Sequence, residues 1–288
     1  MRFPGASARA EARGSPHATV NGSESDWERR GVRRRIAGVE TEYLLASPES
    51  LRSTASGATP LFSELNGEAC FRGLKVVRRR AEVAGVSIEV ATLRDAAELL
   101  DDPELLEHFD RTDRLPYGLE LWPSALMLSE HLSKDGPGNG RDAVELGCGV
   151  GFASIFAART GWRVAAGDAD PIALRFTEFN AKLNATALHS IEFLDWNHPP
   201  PDRRFARVLG ADVLYQSCDH GPLLGCIEAL LETDGIAVIA DPCRSAADRF
   251  EGLARDAGFT VRTMATTAQL EGEKPVRGQV FELRRASD

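Results

Sequence analysis

Between Asp142 and Asp170 the chain carries a pattern that few backbones satisfy. An apolar run ends in Glu145, glycines follow at Gly147, Gly149 and Gly151, an apolar helix-like segment comes next, and a second apolar run ends in Asp168. Strand, glycine turn, helix and strand in that order make one βαβ unit. Residues without a Cβ let the chain turn tightly and approach a ligand closely. Asp168 falls about 20 residues past the first glycine, where a carboxylate reaches ribose hydroxyls. The pattern points to a nucleoside ligand. It fits a dinucleotide turn poorly, because in the frame that starts at Gly149 the third glycine position is Ser154.

The segments that follow repeat the unit. Apolar runs over 191–194, 204–214, 236–240, 259–265 and 279–284 read as strands, with helical segments over 170–184, 222–232 and 245–257. Asp170-Pro171 is a helix start, since Asp caps free amides and Pro fits the first turn. Right-handed crossovers then require an α/β fold: a Rossmann-like, doubly wound, seven-stranded and mostly parallel sheet over 116–288. The final strand, reached without a helix, is expected to insert antiparallel. Upstream, 76–83 and 86–93 alternate around Ala84-Gly85 and predict a β-hairpin. With two short helices over 95–109, it forms a small appendage at 71–115. Residues 1–70, rich in Ala, Arg, Gly, Ser and Pro without apolar period at their start, read as a disordered tail and linker.

In such a sheet, ligands bind at the carboxyl ends of the strands. Acids recur there: Glu145, Asp168, Asp195 (followed by Trp196) and Asp212 end four successive strands. Asp168 is expected to accept from ribose hydroxyls, Asp195 from an adenine amino group, and Trp196 to stack beside the ring. Other properties narrow the partners. The net charge is −9, and the first 35 residues hold eight Arg against four acids, so the rest is more acidic than the whole. An acidic body repels phosphate backbones and disfavours a nucleic-acid substrate. No apolar run approaches the roughly 20 residues of a membrane span, and no secretory signal is legible. Five cysteines without a C-x-x-C pair argue against a disulfide framework or zinc site and for a reducing, cytoplasmic setting. The six His show no ligand spacing, so no metal is expected. A monomer is expected.

The spacing E-x-G-x-G-x-G at Glu145–Gly151 resembles motif I of the seven-strand, S-adenosylmethionine-dependent methyltransferases. The run Pro116-Tyr117-Gly118-Leu119-Glu120-Leu121-Trp122-Pro123-Ser124-Ala125 resembles the segment before motif I in the family-16 group, which includes protein lysine methyltransferases. Asp212-Val213-Leu214-Tyr215 resembles that group's D-x-x-Y signature. The resemblance implies S-adenosylmethionine as cofactor, with Glu145 facing its methionine end and Trp122 bordering it. It also places Asp212 and Tyr215 beside the methyl acceptor. A lysine ammonium has no lone pair, so Asp212 would orient the amine and take its proton while Tyr215 shapes the channel. Arg244, after the fifth strand, would rim the acceptor pocket, pairing with Asp241 or with an acidic group of the substrate. The function implied is N-methylation of a protein lysine. Small-molecule N-methylation and a cofactor-binding module without turnover are the alternatives. Trp122 and Tyr215 also fit as packing aromatics, and Glu145 as a cap for local amides.

Overall fold

The computed structural model describes residues 62–65, 68–71, 74–93 and 117–286. A four-stranded antiparallel sheet comes first, in the order β1 (Phe62–Leu65), β2 (Glu68–Phe71), β3 (Leu74–Val83), β4 (Val86–Leu93). β3 and β4 are the expected hairpin. Val83 pairs with Val86, and Ala84 (φ 49°) and Gly85 (φ 79°) both take the left-handed conformation of a two-residue turn that matches strand twist. β1 and all of β2 but Phe71 lie in the segment 1–70 read as tail and linker, so that reading is corrected at 62–65 and 68–70. Four-residue strands are too short to give an alternating signal. The helices expected over 95–109 and the tail up to residue 61 lie outside the described residues.

The main sheet holds β5 (Asp142–Leu146), β6 (Arg163–Asp168), β7 (Ser190–Phe193), β8 (Phe205–Ala211), β9 (Leu231–Asp241), β10 (Phe259–Ala268) and β11 (Val276–Arg285). Its order is β10-β11-β9-β8-β5-β6-β7. All neighbours are parallel except β11, which pairs antiparallel with both β9 and β10. Helices α1 (Pro123–Lys134), α2 (Phe152–Arg159) and α3 (Pro171–Leu183) share one hydrophobic core with β4. Helices α4 (His220–Leu230) and α5 (Phe250–Asp256) share a second core with strands of the main sheet. Covered on both faces, β8 is buried at six consecutive positions, the unbroken apolar run of a central parallel strand. β9 starts directly after α4 and is longer than the strand expected over 236–240.

The hairpin is more than an appendage. Asn180, fully buried on α3, donates from Nδ2 to Ala91 O (3.0 Å) and Val150 O (2.8 Å), and its Oδ1 accepts the Ala91 N–H (2.7 Å). One turn on, Asn184 accepts the Glu89 N–H (3.1 Å) and donates to Glu89 O (2.7 Å). Two side-chain amides thus give β4 the bonds another strand would give. Without them, its buried edge would hold unpaired peptide groups at a cost of about 1–3 kcal/mol each.

Candidate active site

The carboxyl ends of β5, β6 and β8 open into a cavity of about 490 Å³. At its floor, β5 runs into the glycine loop. Gly147, Gly149 and Gly151 have φ of 71°, 54° and 83°, a region costly for other residues. Gly149 is constrained twice, because a Cβ there would stand 2.8 Å from Gly118 O. The short turn Tyr117–Leu119 therefore lies directly on the loop and joins the Trp122 segment to it.

Glu145 and Asp168 flank this loop. Glu145 is 2% exposed, and its Oε2 accepts from Ser154 Oγ. Burial pushes its carboxyl up to about 8, against the lowering effect of Ser154. Asp168 accepts the Gly149 N–H through Oδ2 and the Asp170 N–H through Oδ1, both at 2.9 Å. Both carboxylate oxygens are thus tied to the loop at the edge of the cavity. Asp170 caps α3 by accepting the Ile172 N–H (2.8 Å). Cys148 lines the cavity but is buried, 3.4 Å from Thr177 Oγ1, with burial pushing its thiol well up. It is placed as an inert wall.

Trp196 lines the cavity beside Gly147. Asp195 does not line it, so the cavity lends the expected adenine contact no support. Its Oδ1 accepts from the Asn197 N–H (3.0 Å) and Nδ2 (3.1 Å), and its Oδ2 faces His198 Nδ1 at 2.8 Å. The side chain closes a local turn, a common habit of Asp.

Across the cavity, segments far apart in sequence converge. Asp212, just beyond β8, is buried and has φ 59°. Cys243, beyond β9, has the same φ, so both strands end in backbone that is unfavourable outside glycine, as is frequent at functional sites. Asp212 Oδ2 accepts from the buried Ser124 Oγ (3.1 Å), and its Oδ1 takes Arg244 Nε (2.6 Å). Arg244 thus pairs its guanidinium with Asp212, while its backbone N–H donates to Asp241 Oδ1 (2.8 Å). Asp241 is fully buried and its Oδ2 has no partner. Burial, with the neighbouring Asp212 charge adding to it, pushes this carboxyl up. Burial works against the Arg244 charge, but the bond to Asp212 outweighs it and holds the guanidinium charged.

Aromatic rings form the wall above. Tyr117 meets Tyr215 edge-on at 6.2 Å and Trp122 edge-on at 6.4 Å. Trp122 Nε1 donates to Tyr117 O (2.8 Å), and Arg244 Cζ lies 5.3 Å from the Trp122 ring centre. Tyr117 and Ser124 were missed as site residues, although both lie in the run around Trp122. Away from the cavity, His131, Asp135 and Glu282 bring ligand atoms within 4.8 Å, a cluster the linear His spacing hid. Arginines already face both carboxylates: Arg207 binds Asp135 at 3.0 Å, and Arg262 stands 4.0 Å from Glu282.

The donor set fits a sulfonium nucleoside. A carboxylate fixed on the glycine loop suits a ribose diol, an indole suits a base, and a buried carboxyl by the same loop suits an ammonium. The comparisons agree. Residues 101–250 match the family described as lysine methyltransferase. The chain is 28% identical over 145 residues to the rat histone-arginine methyltransferase METTL23, covering 46% of this chain and 62% of the relative. It is 33% identical over 112 residues to the mouse protein-lysine methyltransferase METTL21E, covering 34% of this chain and 46% of the relative. The chain thus spans less than two thirds of either relative. The Thermus thermophilus 16S rRNA N2 G1207 methyltransferase, solved with AdoMet and guanosine, shares the fold at a TM-score of 0.51 and 15% identity. That likeness covers 73% of this chain and 51% of the other. With its sheet order, its acid-flanked glycine loop and a family match over half its length, the chain is a class I methyltransferase and belongs to the lysine methyltransferase family.

Proposed function

We propose that the protein uses S-adenosylmethionine to methylate a nitrogen, namely the side chain of a protein lysine. S-adenosylmethionine, when bound, supplies an electrophilic methyl group. Asp168 would hold its ribose, Trp196 its base, and Glu145 its ammonium end, all on the glycine-loop side of the cavity. The observation that carries the acceptor reading is Asp212, a buried carboxylate fixed by Ser124 and Arg244 and facing the same cavity.

An amine attacks only through its lone pair, so a protonated lysine must first give up a proton. Asp212 Oδ2 stands ready to orient the amine and accept that proton, with Ser124 Oγ fixing the carboxylate. Positioned proton transfer of this kind contributes about 10²–10⁴-fold. Tyr117, Trp122 and Tyr215 would guide the apolar stem of the lysine and exclude water. METTL21E, a relative described as a protein-lysine methyltransferase, supports this reading. METTL23, described as a histone-arginine methyltransferase, supports the broader class of protein nitrogen acceptors. The cysteine usage favours a reducing, cytoplasmic setting, and a monomer is taken as the working form.

Transfer of radiolabelled methyl groups into a lysate from cells lacking the gene tests this reading. A labelled protein band whose hydrolysate contains methyl-lysine is expected. Label confined to small molecules would replace it with small-molecule N-methylation. No transfer at all, with S-adenosylhomocysteine still bound, would leave a binding module.

A further inference from the structure

Among the described residues, Arg244 is the one cation lining the cavity. Its seat is unusual. Nε donates to Asp212 Oδ1 at 2.6 Å, and Cζ lies 5.3 Å from the centre of the Trp122 ring. A carboxylate on one side and an aromatic face on the other are the two contacts that recognise an ammonium or guanidinium ion. The pair is also asymmetric. The Asp212 side chain is 6% exposed and that of Arg244 34%. The anion is fixed inside by Ser124, whereas the cation sits at the mouth with an outward path.

We infer that Arg244 caps the acceptor subsite as an internal stand-in, and that a cationic acceptor binds by displacing its guanidinium from Asp212 and Trp122. The inference rests on the N-methylation reading and adds how the acceptor is selected. The exchange leaves no charge buried alone: the incoming cation takes over Asp212, and the freed guanidinium reaches water. That matters because an unpaired buried carboxylate would be strongly destabilising. Arg244 is attached to suit such an exchange. Only its Nε bonds the carboxylate, in place of the two-pronged grip that fixes an arginine firmly. Its backbone stays anchored on Asp241 while the side chain moves. An acceptor without a positive charge gains nothing at Asp212 and leaves the cap in place. Arg244 thereby becomes a specificity-determining residue for cationic acceptors.

The test compares n-butylammonium, a lysine side-chain mimic, as a ligand of the full chain saturated with S-adenosylhomocysteine. Wild type, Arg244→Ala and Arg244→Ala/Asp212→Asn are titrated calorimetrically. Removing the cap is expected to tighten n-butylammonium binding at least tenfold, and the added Asp212→Asn change to abolish the gain. S-adenosylhomocysteine affinity should stay within about threefold in each, which also reports folding. Arg244→Gln, which keeps a donor for Asp212 without the charge, serves where Ala prevents folding. Unchanged or weaker n-butylammonium binding in Arg244→Ala and Arg244→Gln, or a gain that survives the added Asp212→Asn change, would overturn the inference. So would binding of butyrate by wild type that Arg244→Ala removes, since Arg244 would then be reading a carboxylate. Neither result depends on methyl transfer, so a failed search for methyl-lysine would count against the reaction and leave this comparison intact.

Discussion

On the glycine-loop side of the cavity, polar side chains are held by near neighbours in sequence: Asp168 by the amides of Gly149 and Asp170, Asp170 by that of Ile172, and Glu145 by Ser154 Oγ. On the Asp212 side they are held by one another: Ser124 and Arg244 on Asp212, Arg244 over Trp122, Trp122 and Tyr215 against Tyr117. The first arrangement is local and rigid, since every member lies within one βαβ unit and its helix start. The second gathers parts from α1 and its approach, from beyond β8 and from beyond β9. A single side-chain change can rearrange it. A site that must take one invariant donor suits the first construction. A site whose acceptor differs among relatives suits the second, because its members can be exchanged without disturbing the sheet.

The largest effect should follow from breaking the second construction at its centre. Asp212→Asn keeps the shape and the contact with Ser124 but removes the proton acceptor and the partner of Arg244. Methyl transfer should fall by about 10²-fold or more. S-adenosylhomocysteine binding, followed by calorimetry, should change less than threefold. Loss of that binding would mean the two sides of the cavity are not separate devices. The reciprocal change is Asp168→Ala. It removes the diol acceptor and releases the loop amides, so S-adenosylhomocysteine affinity should drop by about 10²-fold, the scale of two charge-assisted hydrogen bonds. If turnover at saturating methyl donor also collapsed, Asp168 would be acting on the acceptor side.

The same difference decides what could be read without a structure. The glycine loop, Asp168, the α3 cap and the β3–β4 hairpin all rest on spacings inside short windows, where backbone conformation dictates residue type. The mostly parallel sheet followed from the repeats and its antiparallel last strand from the missing final helix, whereas the strand order came only with the structure. Asp195 shows the limit of that reasoning. Position at a strand end does not say where a carboxylate points, and Asn197 and His198 turn it onto its own loop. The short turn Asp195-Trp196-Asn197-His198 was the signal available. Arg244 was legible as a rim residue but not its choice of Asp212, since the two are brought together only by parallel strands β8 and β9. Asn180 and Asn184 look like a solvated polar stripe on α3. Nothing local in the sequence says that β4 will lie against them.

Glu145, held by Ser154 Oγ, offers the finest test of the glycine-loop side, because its proton reports the ligand's ammonium. With burial holding its carboxyl near 8, Glu145 keeps its proton at neutral pH in the ligand-free protein. An unfolded chain gives up that proton near 4.5. Between those values the folded state binds the extra proton, so this residue's contribution to stability falls as pH rises, by up to about 1.4 kcal/mol per pH unit. That is the reverse of a salt-bridged carboxylate, and the fall ends above about pH 8. A ligand ammonium beside Glu145 favours the ionised form and expels the proton. Binding of S-adenosylhomocysteine at pH 7 should then release close to one proton, measurable as a dependence of the binding heat on the buffer's ionisation enthalpy. Affinity should strengthen roughly tenfold from pH 7 to 8.5, following the fraction of Glu145 already ionised. Glu145→Gln should abolish the proton release while leaving the Asp168 contribution intact. A proton release that persisted in that variant would move the titrating group to the acceptor side. Asp241, whose carboxyl burial also pushes up, would then be the residue to replace next.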